Sequence, residues 1–252
     1  MRVFSDTWVM FKRSMITSML RNQEAMIMAV VNPTLVMFLF GAIFGGLVDM
    51  GDFNYIDFIV PGIILQSIAQ GIVATAVTVN NDMTRGIIDR FRSMPITKSA
   101  VLTGHVLSSS VRNSVTTAVV IGVAIGVGFR PQAGFLDWIV ISAIILLFML
   151  AVTWLAVLAG VAAKAADSAA SSLFLLFILP FLSSGFAPIE TLPRWLRFVA
   201  QHQPMTPIID ALRGLMLGIP SGNALPLALA WSIGTIVVAF IIAVQVYKRK
   251  LA

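Results

Sequence analysis

The stretch "FIVPGIILQSIAQGIVATAVTV", Phe58–Val79, runs for 22 residues without a charged side chain. At 1.5 Å per residue a helix of that length spans about 33 Å, enough to cross a hydrocarbon core of about 30 Å. Its apolar residues leave no side suited to water. Gln66 and Gln70 nevertheless stand one turn apart within it, and two amides in lipid call for partners on other helices. The stretch predicts a membrane-spanning helix, and the chain repeats the pattern on both sides of it.

Hydrophobic residues make up 58% of the 252 and charged residues 11%, against about 25% charged in a typical soluble domain. That deficit reads as a polytopic membrane protein. With no cysteine, disulfide frameworks, iron–sulfur clusters, Cys-ligated zinc and thiol nucleophiles are excluded. The two histidines, His105 and His202, lie far apart in sequence and give a metal site little support. The net charge of +6 does not point to nucleic acid, because the basic residues flank apolar runs instead of clustering.

Six apolar runs are long enough to cross: Ala25–Val48, Phe58–Val79, Val101–Phe129, Trp138–Ala163, Ser168–Ala187 and Leu225–Tyr247. Pro33, Pro61 and Pro180 fall inside or beside them, which membrane helices tolerate. With the N-terminus inside, twelve of the seventeen Lys and Arg fall on cytoplasmic segments and four on outer ones. The positive-inside rule therefore places both termini in the cytoplasm. Arg112 lies within the third run. Its position toward the cytoplasmic side favours snorkelling to the interface. Before the first run, Phe4, Trp8, Phe11, Met15 and Met19 recur at helical spacing, as in an interfacial amphipathic helix on the inner leaflet. The run that follows is too long for a cleaved signal and has no Ala-x-Ala-type site behind it.

One polar stretch separates the second and third runs: "NNDMTRGIIDRFRSMPITKSA", Asn80–Ala100. Asn81 or Asp82 can cap a short helix, and Pro95 ends it at Met94. Met83, Ile87, Phe91 and Met94 then form an apolar stripe, opposed by Arg85, Asp89 and Arg92. Such a helix can lie on the membrane, pack on its own protein, or enter a groove on another one. Period and charge leave the three open.

The run "TRGIIDRFRSMPITKSAVLTG" resembles the cytoplasmic loop of ABC type-2 exporter permeases, in the branch similar to daunorubicin-resistance permeases. A second stretch, "SSGFAPIETLPRWLRFVAQHQPMTPIIDALRG", Ser183–Gly214, is similar to that family's signature between its fifth and sixth spans. The match there rests on Pro188, Leu192, Pro193, Trp195, Leu196, Pro204, Thr206, Ala211, Leu212 and Arg213.

The resemblance implies an all-α polytopic membrane protein with six transmembrane helices. To these it adds an interfacial helix (1–24), a cytoplasmic coupling loop (80–100), external half-helices (188–224) and a last span with a cytoplasmic tail (225–252). Spans 1–2 would occupy 25–79 and spans 3–5 would occupy 101–187. It also implies that Asp82, Arg85, Gly86, Ile87, Asp89, Arg90, Phe91, Arg92 and Pro95 dock into a separate ATP-binding subunit. Two such subunits would serve two permease chains, as a homodimer or heterodimer, in the cell membrane. Pro188, Glu190, Leu192, Pro193, Trp195, Arg197, Pro204 and Arg213 would shape the outer end of the pathway. An ordinary interfacial helix pair anchored by Trp195 accounts for the same residues. Thr191 is the expected helix start there, with Pro193 early in the helix.

No segment carries the phosphate-cradling G-x-x-x-x-G-K-S/T loop, so ATP and Mg would belong to the partner and this chain would hold no cofactor. Gln66, Gln70, Arg112 and Asn113 are the polar residues suited to a pathway or helix interface. A membrane-embedded transferase would need clustered acids or a His–carboxylate pair. The chain has only eleven acidic residues, no DDxxD-like cluster, and no matched acid near either histidine. A secondary transporter would be expected to carry intramembrane carboxylates, and none of the six runs contains a buried one. Seventeen Phe against two Tyr and five Trp tilts the cargo toward an amphipathic drug or lipid, with a polysaccharide or teichoic acid as the alternative.

Overall fold

Uncharged runs longer than a bilayer is thick have one satisfactory backbone conformation, because every N–H and C=O must be paired within the segment. The computed structural model describes residues 11, 23–46, 53–84 and 98–251, and its regular elements are all helical. They are α1 (Gln23–Phe44), α2 (Tyr55–Thr84), α3 (Lys98–Val127), α4 (Phe135–Ala162), α5 (Ala166–Ser171), α6 (Phe174–Ile178), α7 (Arg194–His202), α8 (Met205–Leu217) and α9 (Ala224–Leu251), with a 3-10 turn at Ile189–Thr191.

Among the described residues, five helices are long and apolar enough to cross a membrane: α1, α2, α3, α4 and α9. The protein is a multi-pass membrane protein. The expected fifth span, Ser168–Ala187, is instead broken. It forms α5 and α6, then turns from Leu179 to Phe186. Pro180 has no N–H to continue the ladder. Ser172, Ser183 and Ser184 add hydroxyls that compete for backbone groups: Ser172 donates to the Ala169 carbonyl at 2.8 Å, and Ser183 Oγ donates to the Pro180 carbonyl and accepts from the Gly185 N–H. Non-helical backbone at this depth is tolerated only where protein covers it.

The helix α2 supplies most of that cover. Its membrane window is 78% buried, against 11% for α1 and 22% for α9. It packs against α1, α3, α4, α5 and α8. Close approach depends on small residues, since lipid gives no hydrophobic drive to helix pairing. A Cβ at Gly62 would stand 2.8 Å from Gly185 Cα, and one at Gly160 2.5 Å from the Ala76 carbonyl oxygen. Aromatic rings fill the gap between α1, α2 and the turns, with Phe181 stacked on Phe186 at 4.7 Å and Phe40 tilted against Phe186 at 5.0 Å.

The helix ends sort into two sets. At one end, Asn80 donates to the carbonyls of Gly160 and Ala163, both at 3.0 Å. Lys250 donates to those of Ala162 and Ala163. Together they satisfy orphan acceptors at the C-terminus of α4. At the other end, Asp57 accepts from the N–H groups of Asn54 and Arg130, and Tyr55 donates to the Phe186 carbonyl at 2.7 Å.

Two local readings are corrected here. The helix α2 continues to Thr84, so Asn81 and Asp82 lie inside it and do not cap a new helix. And His105 does have an acid: its Nε2 is 3.2 Å from Asp82 Oδ2. The expected interfacial helix, apart from Phe11 and residues 23–24 at the start of α1, and the loop residues Arg85, Gly86, Ile87, Asp89, Arg90, Phe91, Arg92 and Pro95 lie outside the described residues.

Candidate functional site

Near the middle of the bundle, α2 and α3 meet along a polar seam. Arg112 lies halfway along α3 and is 7% exposed. One of its nitrogens, Nη2, donates to the Gly71 carbonyl at 2.9 Å, to Thr75 Oγ1 at 3.0 Å and to Ser109 Oγ at 3.4 Å. Thr75 and Ser109 share a hydrogen bond of 2.6 Å. Asn113 donates to Ser109 at 3.4 Å and covers Gly71, where an added Cβ would stand 2.2 Å from its Oδ1. The absence of a side chain at Gly71 is what admits both polar groups to the α2 backbone.

That position differs from the snorkelling expected of Arg112. A central arginine costs about 2.5–3.5 kcal/mol in lipid, and charge-assisted hydrogen bonds to three oxygens offset much of it. A turn-by-turn reading of α3 reveals only Ser109, because Gly71 and Thr75 are 41 and 37 residues away in sequence.

A recess of about 640 Å³ opens beside the seam between α1, α2 and α3. Gln70, Arg112 and Asn113 line it together with Met28, Val31 and Leu35 of α1. Three of the four polar pathway candidates therefore meet. Gln66 does not: it is buried one turn away, with its carbonyl oxygen unpaired. The amide nitrogen of Gln70 also lacks a partner. A second recess, toward α5 and α6, shares Asn32, Gln70 and Val73 with the first.

The outer-end candidates divide in a similar way. Arg213, on α8, forms a knot. Its Nη1 is 2.8 Å from Asp210 Oδ1, its Nε donates to the Phe58 carbonyl at 3.2 Å, and its Nη2 donates to the Ser184 carbonyl. Ser184 in turn donates to Asp210 at 2.6 Å. Burial lowers the Arg213 pKa to about 10, while the charge and hydrogen bond of Asp210 oppose that shift. The knot ties α8 and the broken segment to the N-terminal end of α2. Asp210 and Ser184 were missed in the sequence, although an acid three residues before Arg213 on a helix is a legible pair.

The remaining candidates lie apart from this knot. Pro193 and Pro204 precede the first residues of α7 and α8, where a missing N–H costs nothing. The helix thus begins at Arg194, not Thr191, whose hydroxyl donates to the Pro188 carbonyl at 2.7 Å. Arg197 donates to the carbonyls of Glu190 and Leu192. Trp195 and Phe198 point outward, 71% and 65% exposed, the arrangement of an interfacial anchor. Gly218, with φ +68°, ends α8 in the left-handed region and lets the chain turn toward α9, as glycine commonly does beyond a helix C-terminus.

Among the described residues no group of three or more His, Asp or Glu side chains is placed to hold a metal ion.

Comparison with known proteins gives a consistent family. Residues 5–217 match the model of the ABC-2 type transporter. The chain is 29% identical over 222 residues to the daunorubicin resistance ABC transporter permease protein DrrB1 of Streptomyces coeruleorubidus, covering 88% of this chain and 78% of that one. It is 26% identical over 253 residues to the probable doxorubicin resistance ABC transporter permease protein DrrC of Mycobacterium tuberculosis, covering 98% and 90%. The putative transport permease ycf38 of Cyanophora paradoxa is 24% identical over 217 residues, covering 83% and 73%.

Proposed function

Since the chain belongs to the ABC-2 type transporter family, we propose that it is the membrane-spanning permease subunit of an ATP-driven exporter of amphipathic, drug-like or lipid-like molecules. The observation that carries this reading is the similarity over most of the chain to permeases named for daunorubicin and doxorubicin resistance. Among the described residues the recess between α1, α2 and α3 has no aromatic lining, which favours an amphiphile over a glycan that stacks on rings.

ATP and Mg belong to two copies of a separate ATP-binding subunit, and a second permease chain completes the complex in the cell membrane. The loop between α2 and α3 is the docking lever. Ile87 and Phe91 fill a cleft on the ATPase, and Arg85, Asp89, Arg90 and Arg92 set charge register. The end of the bundle that gathers Asn80, Lys164 and Lys250 faces the cytoplasm, as the distribution of Lys and Arg supports.

The test is co-purification from native membranes of the wild type and the Phe91→Ala/Arg92→Glu double variant. An ATP-binding subunit should accompany the wild type and be lost from the variant, with amphiphile export lost in parallel. Export and an intact complex in the variant would sink the docking assignment. No ATPase with either protein would sink the exporter reading.

A further inference from the structure

The seam around Arg112 holds a positive charge with no counter-charge among the described residues. No carboxylate among the described residues pairs with it, and its three hydrogen bonds all leave from Nη2. Nε and Nη1 have no acceptor among those residues. Arg112 lines a recess of about 640 Å³ and so does Gln70, whose amide nitrogen is buried without a hydrogen-bond partner. Two residues with unused donors, one of them cationic, thus line the same space. The opposite wall is α1, where Met28, Val31 and Leu35 are 63%, 39% and 60% exposed. That is hydrocarbon surface beside a buried cation.

Only a narrow class of ligand satisfies both sides. An inorganic anion would leave the α1 surface bare. A neutral alkyl chain would leave the arginine unpaired, and a cationic amphiphile would be repelled. We propose that the recess between α1, α2 and α3 binds an anionic amphiphile, with its phosphate or carboxylate on Arg112 and Gln70 and its chain against Met28, Val31 and Leu35. Arg112 suits this role better than lysine would, since its planar fork keeps donors free for the ligand while one nitrogen holds the helix seam. Such a ligand supplies the charge that offsets the cost of a mid-membrane arginine. It can be a resident membrane lipid or the exported cargo itself, and the chemistry is the same.

The probe is dioleoylphosphatidylglycerol against dioleoylphosphatidylcholine, bound to the purified full chain in detergent and read by native mass spectrometry. The anionic lipid should be retained about tenfold more strongly than the zwitterionic one. Arg112→Gln should abolish that preference and Arg112→Lys should keep part of it. Because Arg112→Gln can perturb folding, Val31→Trp provides a second variant. It fills the recess from α1, leaves every Arg112 hydrogen bond in place, and should also remove the lipid. Equal retention of both lipids by the wild type, or unchanged phosphatidylglycerol binding in both Arg112→Gln and Val31→Trp, would overturn the proposal.

The two sources separate in a second arm, with labelled phosphatidylglycerol in vesicles holding the permease and its ATPase. ATP-dependent movement between leaflets marks the ligand as cargo, and retention without movement marks it as resident; both support the site. Binding is read without the ATPase, so its failure is distinguishable from failure of the exporter reading.

Discussion

The Arg213 guanidinium lies 3.8 Å above the Phe58 ring and donates its Nε to the carbonyl of that same residue at 3.2 Å. A single side chain of α8 thereby grips both the backbone and the ring of α2, while Asp210 and the Ser184 carbonyl hold the rest of the guanidinium. The broken segment between Leu179 and Phe186 is fixed to the bundle partly through this residue.

Removing Arg213 strands one carboxylate and two carbonyls at once. Arg213→Ala should destabilise the protein by about 3 kcal/mol, read as a fall in the thermal midpoint in detergent. Arg213→Lys should recover little, because a point charge cannot serve three acceptors in separate directions. A lysine variant as stable as wild type would mean that charge alone, without the fork, holds this end.

Glycine substitutions should sort by what their new Cβ meets. Gly62→Ala and Gly160→Ala push against backbone of Gly185 and Ala76 and should each cost about 1–3 kcal/mol. Gly122→Ala and Gly234→Ala meet nothing within 4 Å and should leave the thermal midpoint within a degree or two of wild type (roughly 0.5 kcal/mol or less). Equal effects in the two groups would contradict the helix contacts described.

Asn80 and Lys250 converge on the end of α4 from two other helices. Asn80→Ala should cost about 1–2 kcal/mol and raise hydrogen exchange at the backbone around Ala163. Lys250→Ala, at the surface, should do less. Their effects should be less than additive, because both satisfy the Ala163 carbonyl. Strict additivity in a double-mutant cycle would argue that they act on separate groups.

Cysteine labelling tests the orientation. A single cysteine at Gly51 should react with an impermeant reagent from outside intact cells, and one at Lys98 only after permeabilisation. The reverse pattern would invert the cytoplasmic assignment of the two ends.

Much of this fold is legible along the chain because each spanning helix carries its own signal. A run of about 20 apolar residues has to pair its backbone internally, and α1, α2, α3, α4 and α9 fall where such runs lie. The fifth run misled because hydropathy alone does not register Pro180 beside Ser183 and Ser184, and these break a helix that apolar content permits. Arg112 misled in a different way. Its distance from a helix end was readable, but the Thr75 hydroxyl and the bare backbone at Gly71 that make snorkelling unnecessary belong to another helix.

The amino-acid sequence by itself determined that this chain lives in a membrane, where its apolar runs and polar loops lie, and which family it resembles. These are properties of short windows, set by the solvent each window must meet. Tertiary structure alone decided that Asp82 faces His105, that Asp210 and Ser184 share Arg213, and that Gln70, Arg112 and Asn113 border one recess while Gln66 does not. Those relationships depend on the rotation and register of one helix against the next. Packing at glycines such as Gly62, Gly71 and Gly160 sets that register, and no periodicity within a single helix encodes it.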